Sequence, residues 1–151
     1  MKLLALILIL FPFCASSMEL HFGVMTRHIE SSTYYDEKAS NFYSKRNVKY
    51  NEKNNLILAF NEDGIGLGTM INSYGKRSYL VQKKFSIQDT CHGINCSYSA
   101  SLGLATGYDY LTDHGLIPTF AASFGINKNG FGMNISLFNF VAVVGTFSYS
   151  I

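Results

Sequence analysis

The most constraining feature of this chain is a two-residue rhythm of apolar and small or polar side chains, repeated from end to end. In Ser97–Tyr108, Tyr98, Ala100, Leu102, Leu104, Thr106 and Tyr108 fall on one face. Ser97, Ser99, Ser101, Gly103, Ala105 and Gly107 fall on the other. The C-terminal segment repeats this, with Val141, Val143, Gly145, Phe147, Tyr149 and Ile151 set against Ala142, Val144, Thr146, Ser148 and Ser150. Phe131, Met133, Ile135 and Leu137 alternate with Gly132, Asn134, Ser136 and Phe138. Successive side chains of a strand point to opposite faces, so this rhythm predicts strands. Less regular strands are expected near Glu19–Ile29, Leu56–Asn61, Ile65–Ser73, Arg77–Ile87 and Leu116–Ile126, with hairpin turns at Asp63-Gly64 and Asn129-Gly130. The total is eight.

The first residues read as an export signal. Lys2 is the positive end, Leu3 to Phe13 is apolar, and Ala15-Ser16-Ser17 supplies small residues for cleavage. The apolar run is shorter than the roughly 20 residues a membrane-spanning helix needs. The residues before Cys14, Phe11-Pro12-Phe13, lack the small side chains of a lipidation signal. The expected organisation is therefore a leader over 1–17 and one domain over 18–151. Export bears on Cys91 and Cys96, for which a disulfide is the first expectation. A metal site adding His92 is the rival, and it offers three of the usual four ligands.

The connections are unequal. Glu30 to Asn55 is a long polar loop, whereas Glu62-Asp63-Gly64 is a tight turn. An even strand count, long loops on one side and short turns on the other match an outer-membrane barrel with periplasmic termini. The barrel must close, because an open edge in lipid leaves backbone groups unpaired. The fold expected is all-β: an eight-stranded antiparallel up-and-down transmembrane β-barrel, with small polar side chains inside and apolar ones facing lipid. A soluble lipocalin-like barrel alternates too, with the faces exchanged. Composition agrees with β-structure: 15% aromatic, 15% charged, 13 Gly and 2 Pro. A net charge of +2 gives no concentrated basic face for nucleic acid.

Two stretches carry a family resemblance. The first is Tyr50-Asn51-Glu52 followed by Gly66-Leu67-Gly68-Thr69-Met70-Ile71-Asn72-Ser73-Tyr74. The second is Leu102-Gly103-Leu104-Ala105-Thr106-Gly107-Tyr108, then Ile117-Pro118. In order and rough spacing these resemble the lipid A palmitoyltransferases, a family of outer-membrane barrels. Asn72 to Tyr79 also resembles a segment of a group of short bacterial and phage proteins. The resemblance implies acyl transfer from a phospholipid to a lipid A hydroxyl at the extracellular rim. It carries the family's catalytic His onto His28 and its Asp-Ser pair onto Asn72 and Ser73. Asn72 stands where the family has an ionisable acid, and Asp36, Glu52, Asp109 and Asp113 are the outer-loop acids available instead. The family's helix before the first strand has no counterpart. Nor do two prolines associated with lateral lipid entry: Lys53 follows Glu52, and Ile135 to Asn139 contains no Pro.

The implied partners are phospholipid and lipopolysaccharide in a Gram-negative outer membrane, with the protein a monomer and with no nucleic acid, cofactor or metal. Plainer roles stand beside these. Ser73 beside Tyr74-Gly75 also reads as a turn serine, and His28 beside Arg27 as a rim residue. His21 is expected low in the barrel and His114 in a solvated loop. Lys45, Arg46, Lys49, Lys53, Lys76 and Arg77 read equally as phosphate-binding cations and as a solvated loop. Tyr79, Tyr98, Tyr108 and Phe138 fit interfacial aromatic girdles. Two other functions stay open: a non-enzymatic barrel modifying or stabilising the envelope, and a soluble lipid carrier.

Overall fold

The computed structural model describes residues 17–29, 33–35, 47–109 and 111–151. The expected leader, apart from Ser17, lies outside the described residues, as do Asp36, Lys45 and Arg46. The described chain is all-β. The strands are β1 (Glu19–His28), β2 (Thr33–Tyr35), β3 (Asn47–Lys49), β4 (Ile57–Phe60), β5 (Ile65–Ile71), β6 (Arg77–Cys91), β7 (Ile94–Ala105), β8 (Ile117–Lys128), β9 (Phe131–Phe138) and β10 (Ala142–Ser150). Eight of them close a barrel in the order β1-β10-β9-β8-β7-β6-β5-β4, every neighbour antiparallel. The eight expected barrel strands are therefore present. The stretch expected as a plain loop contains a separate ribbon of β2 and β3.

The alternation sorts inside from outside as expected. Val81, Leu102, Leu104, Met133, Ile135, Phe147 and Tyr149 are exposed on the exterior. Gln82, Ser101, Thr119, Thr146 and Ser148 are buried within. A lipocalin-like barrel would reverse these faces. Two aromatic assignments are corrected. Tyr108 is buried against Leu80, Ala105 and Ile117, and Phe138 lines the lumen. For Tyr108 the cause is local: β7 ends at Ala105, and Gly107 turns the chain at φ +83°, so the strand rhythm no longer governs where the ring points. Tyr79 and Tyr98 are exposed as expected.

Two details position the functional end. β1 carries a bulge: Gly23 faces Thr146, Met25 faces Gly145, and Val24 is the extra residue between them. A bulge inserts one residue and inverts the rhythm beyond it. His21 and Thr26 are consequently both buried, although one is odd-numbered and the other even. Without the bulge, His28 would share the outer face with Leu20 and Phe22.

The second detail is the shortness of β4, which pairs with β1 only from Glu19 to Phe22. Above that level the irregular segment 50–56 fills the gap between β1 and β5. It crosses through bonds from Gly23 N–H to the Leu56 carbonyl (2.8 Å), Thr26 N–H to the Glu52 carbonyl (3.1 Å) and Ile71 N–H to the Asn54 carbonyl (2.6 Å). Gly23 permits the close approach, since a Cβ there would lie 2.2 Å from Asn54 Oδ1.

At the opposite end β6 runs longer than expected, β7 begins earlier at Ile94, and the two meet at His92-Gly93. Cys91 and Cys96 are joined there as a disulfide, with Cα atoms 5.8 Å apart. Asn129-Gly130 and Asp63-Gly64 lie in the connections expected for them.

Candidate functional site

Two of the three residues singled out for chemistry, His28 and Ser73, lie together at one rim. His28 Nε2 is 2.8 Å from Ser73 Oγ, a hydrogen-bond distance across 45 residues of sequence. β1 delivers His28 as its last residue, with the bulge setting its face. Ser73 lies just beyond β5, which ends at Ile71. The rhythm of β5, in which Ile65 faces outward, therefore does not dictate its direction. Ser73 is held through its carbonyl, which accepts from the backbone N–H of Asn51 at 2.8 Å.

Tyr50 completes the group. Its ring is stacked on the His28 imidazole, with centroids 4.3 Å apart and planes 16° from parallel. Tyr74 packs edge-on against Tyr50 at 5.8 Å and against Tyr108 at 6.0 Å. The aromatic series thus runs from the rim into the buried cluster of Leu80, Ala105 and Ile117. Burial raises the Tyr108 hydroxyl pKa above its usual value, and neighbouring Tyr74 adds to the rise.

Asn72 has a different task. Its carboxamide donates to Ser78 Oγ (3.1 Å) and the Gly107 carbonyl (2.7 Å). It accepts from the backbone N–H groups of Tyr74 (3.0 Å) and Lys76 (2.9 Å). All four hydrogen-bonding positions of the amide are thereby used in bracing the turn. Neither nitrogen nor oxygen is directed at His28.

Of the outer-loop acids, Asp109 pairs with Lys76 at 2.7 Å and Glu52 with Arg27 at 3.5 Å, while Asp113 is exposed. His28 Nδ1 is buried and has no hydrogen-bond partner among the described residues. The pair is thus a base and a hydroxyl without an acid bonded to the far nitrogen.

Below the rim lies a cavity of about 400 Å³ inside the barrel. The pairing register orders its walls. Toward the rim the apolar Leu56, Met70, Leu80 and Val144 stand among the polar Thr26, Asn54 and Asn72. Toward the far end stand Glu19, His21, Lys84, Ser148 and Ser150. There Glu19 pairs with Lys84, and His21 Nε2 is 2.9 Å from the same carboxylate. Lys84 Nζ lies 4.5 Å from the Phe60 ring centroid. His21 is therefore luminal, as expected, and His114 is exposed.

The sequence assigned no role to Tyr50, Asn51 or Asn54, although Tyr50 and Asn51 fall in a stretch that carried the family resemblance. In comparisons with known proteins, no family model and no curated protein matches the chain.

Proposed function

We propose that this chain is an outer-membrane barrel that transfers an acyl chain from phospholipid to lipid A, with Ser73 as nucleophile and His28 as base. The observation that carries the reading is the 2.8 Å approach of His28 Nε2 to Ser73 Oγ at the rim of the lumen. A hydroxyl becomes nucleophilic when an adjacent base takes its proton. Apolar side chains on the lumen wall beneath it, Met70, Leu80 and Val144 among them, give a hydrocarbon tail a surface to lie on. The apolar exterior supports placement in a membrane, since every backbone group of a closed barrel is paired internally. The resemblance to lipid A palmitoyltransferases supplies the substrates.

The steps balance without a cofactor. Ser73 Oγ attacks the phospholipid ester carbonyl while its proton passes to His28. The glycerol oxygen leaves with that proton as the lysophospholipid. A lipid A hydroxyl then attacks the acyl-serine and gives its proton to His28, which returns it to Ser73 Oγ. Cations at the rim, Lys53 and Arg77 among them, are suited to lipid A phosphates.

The test is purified mature protein in detergent micelles, given radiolabelled phospholipid and lipid A. Wild type should yield acylated lipid A and lysophospholipid, and Ser73→Ala should yield neither while assembling normally. Full transfer by Ser73→Ala, or none by wild type, ends the enzyme reading. One observation favours the non-enzymatic barrel: among the described residues, His28 Nδ1 has no orienting acid of the kind that His bases commonly use.

A further inference from the structure

We propose that Tyr50 is the positioning residue of the His28–Ser73 pair, its stacked ring doing what a hydrogen-bonded carboxylate does for other histidine bases. This inference rests on the acyl-transfer reading of that pair.

An imidazole works as a base toward a hydroxyl only while one ring nitrogen stays on the line to that oxygen. Rotation about the side-chain torsions destroys the alignment, and a hydrogen bond to the other nitrogen is the common restraint. Here that restraint is absent among the described residues, since Nδ1 is buried without a hydrogen-bond partner. The amide that replaces the family's acid is occupied in its own turn. What touches the imidazole instead is the Tyr50 ring, face to face at 4.3 Å. A ring stacked on its face keeps the imidazole from tilting out of its own plane, the motion that would part Nε2 from Ser73 Oγ.

A stacking ring positions its partner only if it is itself fixed, and Tyr50 is fixed on both sides. The next residue, Asn51, donates its backbone N–H to the Ser73 carbonyl at 2.8 Å and its amide to the Asn72 carbonyl at 3.2 Å. Farther along, the Glu52 carbonyl and the Asn54 side chain bind Thr26, two residues before His28. The segment 50–54 therefore clamps the chain carrying the base to the chain carrying the hydroxyl. Tyr50 sits where the two meet, and Tyr74 backs its ring.

The experiment compares wild type, Tyr50→Phe, Tyr50→Leu and Tyr50→Ala as full mature chains in micelles, each checked for a folded, heat-modifiable band. Transfer kinetics and the NMR signals of the His28 ring are both recorded. Phe keeps the stack, so Tyr50→Phe should match wild type in kcat and in the upfield ring-current shift of the His28 protons. Leu keeps bulk without a ring. Tyr50→Leu and Tyr50→Ala should lose the shift and lower kcat by roughly 10- to 100-fold with KM unchanged, the scale of a misaligned reacting group. Wild-type kcat in a folded Tyr50→Leu overturns the proposal. So does a Phe variant as impaired as the Leu variant, which would place the effect in the hydroxyl. If wild type transfers no acyl chain at all, the acyl-transfer reading fails. The positioning is then decided by NMR alone: equal His28 shifts in wild type and Tyr50→Leu overturn it, and loss of the shift only in Leu and Ala upholds it.

Discussion

His21 and His28 stand on the same strand, seven positions apart and at opposite ends of one lumen, yet their surroundings differ. His21 is 2.9 Å from the Glu19 carboxylate, which also holds Lys84, and its other nitrogen is 3.5 Å from Thr146 Oγ1. Acid, base and cation there satisfy one another within a ring of polar side chains. His28 has a hydroxyl at 2.8 Å, an aromatic face at 4.3 Å and a wall of mixed polar and apolar side chains below. The first arrangement closes the floor of the lumen by charge pairing. The second sets a ring nitrogen against a hydroxyl, the arrangement on which the proposed acyl transfer depends. Their identical side chain decides nothing; the partner does.

The comparison is broken most decisively by exchanging the two histidines' effects. Under the proposed mechanism His28→Ala should reduce acyl transfer by at least about 100-fold, because the proposed general base is gone, while the denaturant midpoint stays close to wild type. His21→Ala should do the reverse, keeping transfer and lowering the midpoint. Paired turnover and urea titrations in micelles check both. Equal losses of activity would erase the distinction between the two ends.

The floor itself is tested by Lys84→Met, which preserves the stem and removes the charge. Glu19 then keeps only His21 in a largely enclosed site, since the side chains of Lys84 and Glu19 are 14% and 29% exposed. The loss should be about 2–3 kcal/mol, below the range for a fully buried pair because the site is partly open. Adding Glu19→Gln should recover part of it in a double-mutant cycle. No recovery would mean that the two charges act separately.

At the rim, Asn72→Asp separates bracing from catalysis. Restoring the family's acid would raise activity if that side chain oriented His28. The hydrogen bonds observed give the opposite expectation. Aspartate cannot donate to the Gly107 carbonyl or Ser78 Oγ, and it places negative charge beside a carbonyl oxygen. A cost of about 1–3 kcal/mol and reduced transfer should follow. A thermal unfolding scan beside the turnover assay distinguishes the outcomes.

The smallest effect belongs to the Cys91–Cys96 disulfide. It closes a short loop at the tip of a hairpin already paired from Leu80 to Cys91. Reduction should cost about 2 kcal/mol or less and leave transfer unchanged, as read by the urea midpoint before and after reductant. A collapse of the barrel on reduction would make that tip a folding element.

Much of the barrel was legible in residues alone. The alternation in Ser97–Ala105 and Ala142–Ser150 states which side chains share a face, because strand geometry has a period of two. Seeing small polar residues on one face and large apolar ones on the other was enough to expect the polar face inside. Asn129-Gly130 marked its turn, whereas His92-Gly93 did not stand out, since His seldom adopts the φ of +51° found there. His28 and Ser73 were legible as a pair only through the family resemblance. Nothing local in either stretch requires that they meet.

The tertiary structure decided the rest. The extra residue at Val24 turns His28 inward, and its partner strand lies more than a hundred residues away. Tyr50 and Asn54 fall in a polar stretch without a rhythm, so their roles exist only once β1 and β5 stand on either side of them. Asn72 was legible as a substitution for an acid, but its four hydrogen bonds reach as far as Gly107, and that satisfaction is what makes it a brace. Periodicity is a property of consecutive residues and is written in them. A site assembled from four separate segments is a property of closure, and it comes into being only when the last strand pairs with the first.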